Sequence, residues 1–321
     1  YIYIAIRRGP MKVPTSGTSV FGLNARTGTG AIATVTGGQT DDAVIVKNRG
    51  SAVASLFSSR LTGTGYLVTS STAAEVAAGV TILQAYPWDV MDGVKVGTTS
   101  TITNASANTY INYLFKRAPS FFDEVCYTGT GSNTTVTHNL GVVPELIFVK
   151  RRDVASAWDS YSSALANTEY VVLNTTAAKA TGATRWNSTT PTSSVFSVGT
   201  STTTNASAGT YVAYLFATCA GVSKVGSYTG NGTTQTIDCG LTAGARFVLI
   251  KRTDSTGDWY VYDTARGMTT LTDPYWLTDS TAAEVATLGS VTTVATGFAL
   301  NSSILAAINT SAASYIFLAI G

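Results

Sequence analysis

At 321 residues the chain is long enough for two or three domains, and its 45% hydrophobic content lets each bury a core. Charged residues make up 12%, and 20 Lys and Arg balance 18 Asp and Glu to a net +2 with no basic stripe, which argues against nucleic acid as a main partner. No apolar run reaches the roughly 18 residues of a membrane-spanning helix, and short runs of Val, Ile, Thr, Tyr and Phe between turn residues point to an all-β chain.

The first element, Tyr1-Ile-Tyr-Ile-Ala-Ile6, is strand-like and begins without Met, as a fragment or a processed product would. Its meaning comes from further along. Asn-Ala-Ser-Ala-Asn-Thr-Tyr-Ile-Asn-Tyr-Leu-Phe runs from Asn104 to Phe115. A near copy starts 101 residues later at Asn205 and a third 104 residues after that at Asn309. Other landmarks keep the same step. Ala43-Val-Ile-Val-Lys47 corresponds to Leu146–Arg151 and Phe247–Arg252, Trp158 to Trp259, and Tyr127-Thr-Gly-Thr-Gly131 to Tyr228-Thr-Gly-Asn-Gly232. Ser71–Val76 recurs unchanged as Ser280–Val285, with Thr175–Ala180 between them. So many landmarks in one order define an internal repeat. The expected organisation is a closing strand left from a preceding copy (1–14), a divergent first copy (15–118), and two further copies (119–219 and 220–321). The first copy is read as lacking both the Tyr-x-Gly-x-Gly opening and the Trp.

Within each copy the order is a strand, a Gly-rich turn, a short strand, and an apolar strand ending in Lys-Arg. An aromatic strand, a variable middle and a Tyr-rich closing strand follow. Strands at this spacing suggest a sandwich or barrel. The closing strand is apolar throughout, so it is expected at the centre of a sheet with both faces covered. Ser-Thr-Ala-Ala-Glu-Val resembles a capping box and predicts one helical turn. The run Tyr1–Arg8 needs a pairing partner, either the first copy or a neighbouring subunit.

Chemistry-bearing residues are sparse. His138 is the single histidine, which leaves no basis for a repeated Ser-His-Asp site, and it is expected on the surface or in a turn. Cys126, Cys219 and Cys239 lack metal-ligand spacing and read as small buried apolar residues, with a disulfide left open. No metal and no cofactor are predicted. The Lys150-Arg151 and Lys251-Arg252 doublets are expected to guard strand ends. Paired carboxylates across a cleft would mark a glycosidase. The nearest approach to that pattern is Asp258 and Asp263 flanking Trp259-Tyr260-Val261-Tyr262, with Trp158 and Asp159 in the second copy. Aromatic faces stack on sugars and carboxylates accept their hydroxyls, so Asp258, Trp259, Tyr260, Tyr262, Asp263, Trp158 and Asp159 form the candidate glycan site, against the alternative that the tryptophans fill the core.

The run Tyr1–Pro14 and the unit Gly226–Gly232, Phe247–Asp254, Trp259 and Tyr315–Ile320 resemble a repeat of tail-fibre and minor tail proteins of tailed bacteriophages. The likeness extends over essentially the whole chain. It implies a concanavalin-like or laminin-G-like jelly-roll β-sandwich in each copy and a virion location facing the host surface. It also implies a non-enzymatic role in host attachment, through a surface glycan or receptor and through self-association. The alternatives are a purely architectural fibre or sheath subunit and, third, a polysaccharide-degrading tail enzyme.

Overall fold

The computed structural model describes residues 11–269, 272–301 and 305–321. The expected strand at Tyr1–Arg8 lies outside the described residues.

The chain is all-β and its sheets are antiparallel. In the first segment β1 (Phe21–Thr27), β2 (Ala43–Asn48), β3 (Leu56–Ser59), β4 (Gly65–Val68) and β5 (Thr109–Phe115) form one sheet in the order β1-β5-β2-β3-β4, extended by Val76–Ala77. In the second, β6 (Phe122–Thr128), β7 (Leu146–Arg151), β8 (Trp158–Ser162), β9 (Glu169–Val172) and β10 (Thr210–Phe216) follow the order β6-β10-β7-β8-β9, extended by Ala180–Thr181. In the third, β11 (Ser223–Thr229), β12 (Phe247–Arg252), β13 (Trp259–Asp263), β14 (Trp276–Leu277) and β15 (Ser314–Ile320) give β11-β15-β12-β13-β14. A small second sheet accompanies each. Ala33–Val35 pairs with Val94–Val96, Thr134–Thr137 with Val195–Val198, and Gln235–Asp238 with Gly297–Leu300.

The closing strands β5, β10 and β15 are central, as expected, and their period-2 alternation explains the unbroken apolar run. Tyr110 and Leu114 face the interior beneath the first segment's small sheet, with Val35, Val94 and Val96. Ile111, Tyr113 and Phe115 face the other way. On β10, Tyr211, Ala213 and Leu215 face one interior while Val212, Tyr214 and Phe216 face another. On β15 the same split separates Tyr315, Phe317 and Ala319 from Ile316, Leu318 and Ile320. A strand buried on both faces has no polar side to show.

The second faces of all three strands lead to one place. Phe57, Tyr113, Phe148, Tyr214, Phe216, Phe247, Trp259 and Trp276 belong to a single apolar cluster to which every segment contributes. Phe57 stacks on Tyr214 at 4.0 Å, Phe148 meets Trp259 edge-on at 5.9 Å, and Phe21 meets Phe247 at 5.4 Å. These contacts join first to second, second to third, and third to first, so the arrangement closes into a ring. A void of about 30 Å³, lined mainly by aromatic and aliphatic side chains of all three segments, remains among them.

The turns before the closing strands are built alike. The buried Asn104, Asn205 and Asn309 each accept through Oδ1 from a backbone N–H of the Gly-rich turn (Thr29 at 3.1 Å, Thr130 at 2.8 Å, Asn231 at 3.0 Å) and donate through Nδ2 to the carbonyls of Ala31, Ser132 and Thr233. Gly129 and Gly230 tolerate no side chain, because a Cβ would lie 2.2 and 2.1 Å from the carbonyl oxygens of Ala206 and Thr310. The first segment keeps this turn as Arg26-Thr-Gly-Thr-Gly30, which corrects the reading that it lacks the opening. Arg26 lies over Tyr110 at 4.9 Å where Tyr127 stacks on Tyr211 at 5.0 Å and Tyr228 on Tyr315 at 4.8 Å. A flat guanidinium stands in for a phenol ring.

The predicted helical turn at Ser71–Val76 is absent; residues 71–75 are irregular and Val76–Ala77 is a strand. The Ser71 and Ser280 hydroxyls instead accept from Ala73 and Ala282 N–H. Contacts to the next segment take the groups a capping box would use, and tertiary bonds outweigh a weak local preference.

Candidate functional site

The seven residues of the candidate glycan site do not form an open platform. Trp158, Asp159, Trp259, Tyr260, Tyr262 and Asp263 are buried, and Asp258 is half-buried. Trp158 Nε1 donates to Val68 O and Trp259 Nε1 to Val172 O, both at 3.0 Å, so each indole reaches into the preceding segment. Asp159 accepts from Arg185 at 2.8 Å and from the Thr203 hydroxyl, while desolvation raises its pKa. Asp263 accepts from Arg266 at 2.5 Å and from the Tyr113 hydroxyl of the first segment at 2.7 Å. The Tyr260 hydroxyl is 3.4 Å from Asp258, and Tyr262 accepts from Ser290 at 3.3 Å. A ring covered on both faces cannot stack on a sugar, so these residues correct to core and seam; large apolar area outweighed the polar pattern.

His138 is also interior rather than on the surface. Its Nε2 donates to Thr192 O at 3.1 Å and its Nδ1 accepts from Leu140 N–H at 3.3 Å, which is the neutral imidazole, and burial lowers its pKa. Cys126, Cys219 and Cys239 carry free thiols; Cys126 is half-buried, the other two buried. Asp41 takes a hydrogen bond from Gln39, while Asp42 accepts from Arg117 N–H, so the adjacent pair diverges. Among the described residues no group of three or more His, Cys, Asp or Glu is placed to hold a metal ion, and no helix is long and apolar enough to cross a membrane.

What the chemistry-bearing residues do build is the seam between segments. Lys150 and Lys251 are wholly buried, as is Lys47, and they sit on interior strands, so the strand-guard reading fails for the lysines. Lys47 Nζ donates to Thr281 O at 3.0 Å and Lys150 Nζ to Thr72 O at 3.2 Å; Lys251 Nζ donates to Thr175 O at 3.4 Å. Each ammonium therefore reaches the Ser/Thr-Thr-Ala-Ala loop of the preceding segment, going round the ring. Desolvation lowers all three to about 8. The arginines beside them are partly exposed and pair with Asp153 and Asp254.

A backbone rung lies next to each lysine. Glu75 N–H donates to Arg152 O at 2.8 Å, Lys179 N–H to Thr253 O at 2.9 Å, and Glu284 N–H to Arg49 O at 2.9 Å. Two of these rungs carry a side-chain clamp. Arg152 grips Glu75 at 2.6 and 2.9 Å, and Arg49 grips Glu284 at 2.9 and 2.8 Å. At the third rung Thr253 replaces the arginine and Lys179 replaces the glutamate, and Lys179 turns to Glu169 of its own segment at 2.9 Å. A cleft of about 560 Å³ opens there.

The recurring Lys and the recurring Ser/Thr-Thr-Ala-Ala run are both legible in the sequence, yet nothing in one segment's sequence says that its lysine serves the loop of another.

No curated protein matches the chain. A family model described as a domain of unknown function (DUF7483) matches residues 117–321, well over half of the sequence, and the chain belongs to that family.

Proposed function

We propose that this chain is a structural and adhesive component of a phage tail or fibre, made of three tandem β-sandwich repeats of concanavalin-like type, that presents its outer surface to the host. The observation that carries the reading is the use made of the aromatic, lysine and acidic side chains. The aromatic side chains join three segments through one apolar cluster, Lys47, Lys150, Lys251, Glu75 and Glu284 reach across the seams, and the hydroxyl-rich exterior is left free for contact. A body of this kind suits a surface-exposed appendage, where stiffness lets several weak contacts act together. The purified chain should coat susceptible cells and compete with infection, and labelled antibody should mark the tail in particle images. Absence of cell binding together with label elsewhere on the particle contradicts the proposal. An architectural subunit that binds only its own kind is the second reading. It is favoured by the exposed Tyr86 (76%), Met91 (85%) and Leu288 (72%), which a self-assembling surface would cover.

A further inference from the structure

The three seams are built alike, and at the backbone rung one differs from the other two by a paired change. Where the first two segments and the third and first are clamped by Arg152–Glu75 and Arg49–Glu284, the second and third meet at Thr253 and Lys179. In the Arg152 seam the guanidinium also lies 3.6 Å from Cys126 Sγ. The position matching Cys126 is Ser227, whose side chain is exposed on the wall of the cleft. The cleft lies where both clamp residues are replaced at once.

The lining specifies a chemistry. Ser227, Thr229 and Ser314 bring exposed hydroxyls, and Leu165 brings apolar surface. Lys179 and Asp254 are the charged residues in the lining, and each is already paired, Lys179 with Glu169 and Asp254 with Arg252 at 3.0 Å. A lining neutral overall gives no advantage to a phosphate, sulfate or carboxylate, and one this rich in hydroxyls gives little to a lipid. A volume of about 560 Å³ falls within the roughly 300–1,000 Å³ of small-molecule sites.

We infer that the cleft between the second and third segments is a binding site for a neutral oligosaccharide, with the Ser227, Thr229 and Ser314 hydroxyls and Asp254 reading sugar hydroxyls and Leu165 meeting a sugar C–H face. The inference rests on the attachment reading and gives it a location. It requires no catalysis.

The test uses saturation-transfer NMR on the full chain with maltotriose, cellotriose and chitotriose as probes and sialyllactose as the charged control. At least one neutral trisaccharide should receive magnetisation, and sialyllactose no more than it. Lys179→Glu with Thr253→Arg, which rebuilds the clamp of the other seams, should reduce the transfer at least tenfold. Ser227→Trp, on an exposed wall of the cleft, should do the same while leaving Lys179 and Thr253 unchanged. Transfer to none of the neutral probes, or transfer unchanged in both variants, overturns the site. Cell binding measured on the same proteins separates the two claims: wild-type chain that coats cells equally well in all variants keeps the attachment reading and discards this cleft, whereas wild-type chain that coats no cells removes the attachment reading itself.

Discussion

The seam between the third and first segments and the seam between the second and third hold the same kind of junction by different means. In the second–third seam Trp259 fills the interior and donates to Val172 O. In the third–first seam the matching position is Ser55, and the bulk comes from the opposite side: Trp276, where the other segments have Leu67 and Val171, donates to Tyr113 Oη at 2.8 Å. Outside the core the order reverses. The seam with the transplanted Trp keeps its Arg49–Glu284 clamp, and the seam with the native Trp has lost its own. The comparison shows that interior volume is conserved across seams because close packing demands it, whereas a partly exposed ion pair is dispensable because it contributes little.

The largest effect should come from that volume. Trp276→Val leaves a cavity and should cost about 3–5 kcal/mol in urea-induced unfolding. Adding Ser55→Trp should recover at least half of the loss, since it restores the arrangement of the other seams. Recovery of nothing would mean that the two positions do not share one space.

Glu124 sharpens the contrast within the core. Both its carboxylate oxygens are buried without a hydrogen-bond partner, the Tyr214 hydroxyl nearby is likewise unpaired, and desolvation raises the pKa to about 8. Its folded pKa is above the unfolded value, so the native state holds a proton that the unfolded chain releases. Its share of stability is full below about 4.5 and falls as pH rises to about 8. Glu124→Gln should match wild type at pH 4 and exceed it by about 1–3 kcal/mol at pH 8.5. Equal stabilities at both pH values would place the carboxylate in water.

The seam lysines run the other way. Their folded pKa of about 8 lies below the unfolded value of 10.5, so the native state holds fewer protons between those limits and stability rises with pH across the window. Relative to Lys47→Met, wild type should gain about 1–2 kcal/mol between pH 7.5 and pH 9.5. A difference that stays flat would show Lys47 to be solvated.

The clamps should matter least. Arg49→Ala or Arg152→Ala should cost about 1 kcal/mol, and Lys179→Glu with Thr253→Arg should gain about as much. A loss on installing the clamp would mean that the seams do not correspond.

Much of the fold was legible because the burial pattern of a strand is local. The unbroken apolar run of Tyr211–Phe216 announced a central strand, and Gly129 and Gly131 announced the turn. The all-round burial of that run also implied a second covering surface, but not that three segments would supply it to one another. The residues of the candidate glycan site are decided by the same distant contacts. Trp259 beside Asp258 reads first as a core residue and second as a sugar platform, and its contacts with Val172 and Phe148, which are distant in sequence, are what make it core. The cleft is not legible in any one segment, because it depends on a difference between segments, Thr253 against Arg152 and Lys179 against Glu75.

The shared apolar cluster is tested most directly by differential scanning calorimetry of the whole chain, repeated for Trp276→Val. Segments that complete one another's interiors should melt in a single transition whose calorimetric and van't Hoff enthalpies agree, and the substitution should move that whole transition downward. Separate transitions, with only one of them displaced by the substitution, would contradict the account.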